Sequence, residues 1–203
     1  MEEFESNLSA DTMEISFGVN GETRFKVLLL NIYKCYELMI KDELLLPNLE
    51  NDIRDILLLN YLNNNEIRHT LNFSNFLFDP EVPENSGRSD IKVQTYDTFQ
   101  DTKAYFIIEC KRLDGCAYLN KEYVKNGVNR FTTSYYTSYY KLNAMIGFVV
   151  KDIDIDENMN KIGSFFNTIE NNRLYDSNHI SLKLYHLMMD FSKNIEVKKY
   201  EFT

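Results

Sequence analysis

An aspartate and a glutamate nineteen residues apart each mark one end of a strand-like stretch. Asp90 opens the alternating run Asp90-Ile91-Lys92-Val93, just after Gly87-Arg88-Ser89, and Glu109 ends the apolar run Phe106-Ile107-Ile108, followed by Cys110 and Lys111. Alternate side chains of a strand share a face, so Glu109 and Lys111 project together while Cys110 projects the other way. If the two runs form a hairpin, Asp90 comes beside Glu109. Two carboxylates a few ångströms apart repel and suit a shared divalent cation, with Mg²⁺, a hard ion that prefers oxygen, the natural occupant. A lysine beside them can orient or deprotonate a water for attack on a phosphodiester, while the cation stabilises charge on the phosphate oxygens. The triplet acidic-x-Lys is common here, occurring at 90–92, 101–103, 109–111 and 196–198, so context has to distinguish one copy. The third ends a buried strand, where a charged pair needs partners or a ligand. The plain alternative is a strand-end salt bridge of Glu109 with Lys111 or Arg112.

Two helices precede this stretch. Phe25, Leu28, Leu29, Ile32, Tyr33, Tyr36, Met39 and Ile40 repeat at helical spacing within 22–46, and Leu49, Ile53, Ile56, Leu57 and Leu59 do so within 49–63, with Asn48 as N-cap. Residues 1–21 read as an arm or a short edge strand over Glu14 to Val19. Phe73, Phe76 and Phe78 suggest a strand that turns at Asp79-Pro80, and the strands at 90–96 and 104–111 flank a polar hairpin loop. A helix over 119–131, a fully apolar strand at 144–150, a helix over 157–168, a loop to 178 and a last strand at 182–191 complete the order. Domain organisation is thus an arm, 1–21, and one α/β domain, 22–203.

The chain has 203 residues, 44% hydrophobic and 26% charged, ordinary for a globular domain, and no apolar run long enough to span a membrane. An acidic N-terminus unlike a signal peptide, and three cysteines without a CxxC pair, point to the cytoplasm. The net charge of −9 speaks against a non-specific polyanion binder. Charge is uneven, however: 85–145 carries a net +3, so the middle third is where a polyanion would go.

Ser89-Asp90 followed by Glu109-Cys110-Lys111 resembles the Asp … Glu-x-Lys core of the PD-(D/E)XK, or restriction-endonuclease-like, nuclease superfamily, with Ser89 where its proline is expected. The resemblance covers about 49–150. Tyr123-Val-Lys-Asn-Gly-Val-Asn-Arg-Phe131 with the following apolar strand is similar to a segment of bacterial members associated with restriction and phage defence. It implies a restriction-endonuclease-like core, a mixed central sheet flanked by helices, and a Mg²⁺- or Mn²⁺-dependent endonuclease acting on DNA. Asp90, Glu109 and the Cys110 carbonyl would hold the metal, and Lys111 would position the water. An upstream acid is expected from among Glu50, Asp52, Asp55, Glu81 and Glu84, with Glu81 favoured because it lies just before the Asp90 strand. Arg88, Arg112, Lys125 and Arg130 would meet DNA, and the tyrosine-rich run 131–140 could donate hydroxyls to phosphates or stack on bases. With no recognition domain evident, a homodimer or a targeting subunit is expected. The rival reading is a catalytically silent protein of the same fold that binds DNA, mimics it, or engages a partner. His69, His179 and His186 lack zinc-ligand spacing, and no GxxxxGK[ST] or GxGxxG loop supports nucleotide chemistry.

Overall fold

A computed structural model describes residues 10–84, 87–133, 136, 139–163, 167–169 and 173–196. A seven-stranded mixed sheet carries helices on both faces. Helix α1 (Ala10–Lys41) leads to α2 (Glu50–Ile56), which continues into π-helical turns at Leu57–Leu62, and to α3 (Asn65–Thr70). Strands β1 (Leu77–Glu84), β2 (Gly87–Gln94) and β3 (Tyr105–Leu113) follow, then α4 (Ala117–Tyr123), π-helical turns at Val124–Val128, and α5 (Asn129–Thr132). After β4 (Leu142–Val149) come α6 (Ile155–Ile162), β5 (Asn167–Ile169), β6 (Leu174–Asn178) and β7 (Lys183–Asp190). The spatial order is β1-β2-β3-β4-β7-β6-β5. Strands β3, β4 and β7 run parallel in the middle and the outer pairs are antiparallel. Among the described residues no helix is long and apolar enough to cross a membrane.

The period of two sorts the central strands onto two cores. One face packs Phe106, Ile108, Cys110, Ile146 and Leu187 beneath α1 and α2, which contribute Phe25, Leu28, Ile32 and Ile53. The other packs Ile107, Met145, Leu184 and Met188 beneath Tyr123, Val128, Phe131, Ile155 and Met159. Because β3 and β4 are covered on both sides, Tyr105–Ile108 and Ala144–Val149 are apolar without alternation, and the charged residues of β3 come only after Ile108.

Several expectations need correction. Helix α1 begins at Ala10 and runs through Glu14–Val19, so the short edge strand offered there is not formed; residues 1–9 lie outside the described residues. No proline interrupts 10–41, and a helix once nucleated propagates with one hydrogen bond per residue fixed. Strand β1 passes straight through Asp79-Pro80, because it is the sheet's edge and a missing N–H there faces no neighbour. Helix α2 is preceded by Leu49, not capped by Asn48. The helix expected over 157–168 spans only 155–162, and β5 falls within the rest of it. The supposed loop before Asn178 contains β6, drawn into the sheet by pairing with β7.

The second core holds a polar chain. Tyr123 Oη lies 2.9 Å from Nδ1 of fully buried His186, whose Nε2 is 2.9 Å from Ser177 Oγ. Burial, with His179 second, pulls the His186 pKa down to about 3. Its unfolded value lies near 6.5, so the folded state resists a proton that the unfolded chain accepts. Stability is therefore full above about pH 6.5 and falls by up to about 1.4 kcal/mol per pH unit as pH drops towards 3. Urea titrations from pH 8 to 4 should show this slope in the wild type and a shallower one in His186→Gln; equal slopes would contradict it.

Candidate active site

Strands β2 and β3 pair from Gln94/Tyr105 to Ile91/Ile108 and then separate. Beyond that point β2 stays with β1 as far as Gly87, and β3 stays with β4 as far as Leu113. The N–H groups of Cys110 and Arg112, on the vacated side of β3, are taken by carboxylates. Asp90 Oδ2 accepts from Cys110 N at 2.7 Å, and Glu50 Oε2 accepts from Arg112 N at 2.9 Å. A buried N–H left without an acceptor would cost about 1–3 kcal/mol, so the parting of the strands calls for these two acids.

Lys111 lies at the centre of the cluster. Its Nζ donates to Glu50 Oε1 at 3.0 Å, Glu109 Oε1 at 2.9 Å and the Cys110 carbonyl at 2.7 Å, with Asp90 Oδ2 at 3.8 Å. The lysine stem runs under Gly127, where a Cβ would touch Lys111 Cγ at 3.5 Å and collide with the Met145 methyl group. Burial disfavours the ammonium, but Glu109, Asp90 and Glu50 outweigh it and hold the pKa of Lys111 above its ordinary value.

Glu109 is fully buried and held from the other side as well. Arg130 Nη1 donates to its Oε1 at 2.6 Å, and the Tyr136 hydroxyl lies 2.7 Å from its Oε2. The same hydroxyl is 2.8 Å from both the Arg88 carbonyl and Arg130 Nη1, which braces the loop against β2 and α5. Burial, reinforced by the Asp90 charge, holds the Glu109 carboxyl at about 7 against the pull of Lys111, Arg130 and Tyr136. Burial and then Glu109 push the Tyr136 hydroxyl above its ordinary range.

Of the residues predicted from sequence, Asp90, Glu109, Lys111, the Cys110 carbonyl and Arg130 come together in this cluster. The acid that reaches Lys111 from upstream is Glu50. Glu81 instead pairs with Arg54 and Arg88, and those guanidiniums hold its carboxyl below the usual range. Its backbone is left-handed, with φ 47°, and the β1–β2 pairing passes over it, from Pro80/Ile91 to Val82/Ser89. Asp55 also pairs with Arg54. Arg112 bonds Asn48, Arg88 is exposed beside Glu81, and Lys125 is exposed on the π-helical turns. Ser134, Tyr135, Thr137 and Ser138 of the tyrosine-rich run, and the Glu84 side chain, lie outside the described residues.

Arg54 is the residue that sequence reasoning overlooked. It is 3% exposed, and its guanidinium joins Asp90 Oδ1 at 3.2 Å, Glu81 Oε1 at 3.0 Å and Asp55 Oδ1 at 2.7 Å. The signal was present: Glu50 and Arg54 are one turn apart on the stripe that carries Ile53 and Leu57, which buries Arg54 and leaves Glu50 part-exposed at the margin of the core.

The donor set is entirely oxygen, from three carboxylates and one carbonyl, and suits a hard divalent cation in kind. In the structure the positive centre those oxygens share is the Lys111 ammonium, and among the described residues no group of three or more His, Cys, Asp or Glu is spaced to hold a metal. No protein-family model matches the chain, and no curated protein or solved structure is similar to it.

Removing the Tyr136 hydroxyl takes away a hydrogen bond that favours the charged form of Glu109. In Tyr136→Phe the Glu109 titration, followed by carboxyl ¹³C NMR, should move upward from about 7, with about 1–3 kcal/mol of stability lost at pH 8. A midpoint that stays put or falls would show that this hydroxyl does not hold Glu109.

Proposed function

We propose that this chain is a metal-dependent nuclease that hydrolyses DNA phosphodiester bonds, of restriction-endonuclease-like type and acting in bacterial restriction or phage defence. The observation that carries the reading is the convergence of Glu50, Asp90, Glu109 and the Cys110 carbonyl on Lys111, from three separate elements. A fully buried acid, Glu109, with two part-buried ones beside it where two strands part is costly for a purely structural purpose, since apolar packing of the same volume is often as stable or more so.

The residues divide the chemistry as follows. Glu50, Asp90, Glu109 and the Cys110 carbonyl would hold a divalent cation, which when bound supplies charge for the phosphate oxygens and acidifies a water. Lys111, kept charged by the acids around it, orients that water and balances charge rather than removing its proton. Arg130, part-exposed above Glu109, presents a planar donor suited to a phosphate. Tyr136 and Arg54 fix the carboxylates of Glu109 and Asp90 from behind. The net +3 of 85–145 favours a polyanion at this part of an otherwise acidic chain. A homodimer or a targeting subunit would supply the recognition surface.

The saturation of these acids by the chain's own cations favours a second reading, a silent fold that binds DNA or a partner without cutting. Supercoiled plasmid and single-stranded DNA incubated with Mg²⁺ or Mn²⁺ separate the two. The nuclease reading expects metal-dependent cleavage that Glu109→Ala and Lys111→Ala each reduce by about 10²-fold or more. Glu50→Gln should impair cleavage and Glu81→Gln much less. A folded wild type that shifts DNA without cutting in either metal would favour the silent reading.

A further inference from the structure

We propose that Lys111 is a built-in counter-cation which a divalent ion must displace, so that metal entry and release of the lysine are one coupled event. This rests on the reading of the site as metal-dependent and adds how that site is held closed. A lysine ammonium has three hydrogens. All three are used here, by Glu50 Oε1, Glu109 Oε1 and the Cys110 carbonyl, each within 3.0 Å of Nζ. None is left to orient a water, so Lys111 must give up at least one of these partners before it can act on one.

Charge leads to the same conclusion. Glu50, Asp90 and Glu109 face Lys111 and Arg130 and share Arg54 with Glu81 and Asp55, so most of their charge is met by the chain's own cations without a metal. A dication entering beside these cations meets repulsion unless one of them leaves. Arg54 is 3% exposed and tied to Asp55, Glu81 and Asp90, and Arg130 is fixed to both Glu109 and Tyr136. Lys111 carries a compact charge on a flexible four-carbon stem and can swing its head aside without moving the backbone. Once displaced it remains tethered next to the acids, with donors free for a water.

The test is titration calorimetry of the full chain with Mn²⁺ alone, comparing wild type, Glu109→Gln and Lys111→Met, which keeps the apolar stem and removes the charge. Lys111→Met is expected to bind Mn²⁺ on the order of tenfold more tightly than wild type, a usual size for coupling between competing sites. Its thermal unfolding midpoint should also rise more on Mn²⁺ addition. Lys111→Gln, which keeps a polar head without charge, is carried alongside and read in the same way should Lys111→Met not fold. If wild type binds Mn²⁺, Glu109→Gln does not, and both lysine variants bind no more tightly than wild type, the counter-cation role is overturned and the metal-dependent reading stands. If neither wild type nor the lysine variants bind Mn²⁺, the metal-dependent reading fails and this inference with it.

Discussion

Where β2 leaves β3, beyond Ile91 and Ile108, the N–H groups of Cys110 and Arg112 lose their strand partner. A sheet interior tolerates such a gap only if something else accepts those hydrogens. Here Asp90 and Glu50 accept them, one from the departing strand and one from the first turn of α2. That requirement brings two acids to the edge of a strand whose own inward side chains at this point are Glu109 and Lys111. The constellation therefore follows from the splitting of a hairpin, and the backbone of β3 serves as its ruler.

The cluster is one of opposing demands. Glu109 and Arg54 are as buried as core leucines, and buried charges contribute stability only when nearly every lone pair and hydrogen is matched. The matching is close: each Glu109 oxygen has a partner, and the Asp90 oxygens divide between Arg54 and the Cys110 N–H. Such matching fixes geometry tightly, and it also ties up the groups that chemistry would need. Glu109 shows the tension most clearly, since burial favours its neutral form while Lys111 and Arg130 favour its charged one. A site in this condition responds strongly to any added cation, because there is little solvent to screen the change.

Much of this was legible in the chain. Alternation at 90–94, the apolar run before Glu109 and helical spacing in 22–63 place the strands, their antiparallel hairpin and the helices, as observed. Asp90, Glu109 and Lys111 were legible because strand parity fixes which side chains share a face. Arg130 was singled out only as a DNA contact and Tyr136 only as one of several tyrosines in 131–140, and their bonds to Glu109 were not legible, since a helix-to-strand loop has no period to read. Glu81 was favoured over Glu50 on chain proximity to Asp90, but α2 crosses the vacated edge of β3 and proximity in space outweighs it. β6 was missed because a short strand at the side of a sheet owes its form to its neighbour β7 more than to its own pattern.

The most direct measurement is a crystal structure of the full chain at saturating Mn²⁺, with anomalous scattering used to locate the ion. A peak bounded by carboxylate oxygens of Glu50, Asp90 and Glu109, with the Lys111 ammonium moved off all three acids, is the predicted result. Well-ordered density showing Lys111 Nζ still bonded to Glu50, Glu109 and the Cys110 carbonyl, with no anomalous peak among those acids, would contradict the account.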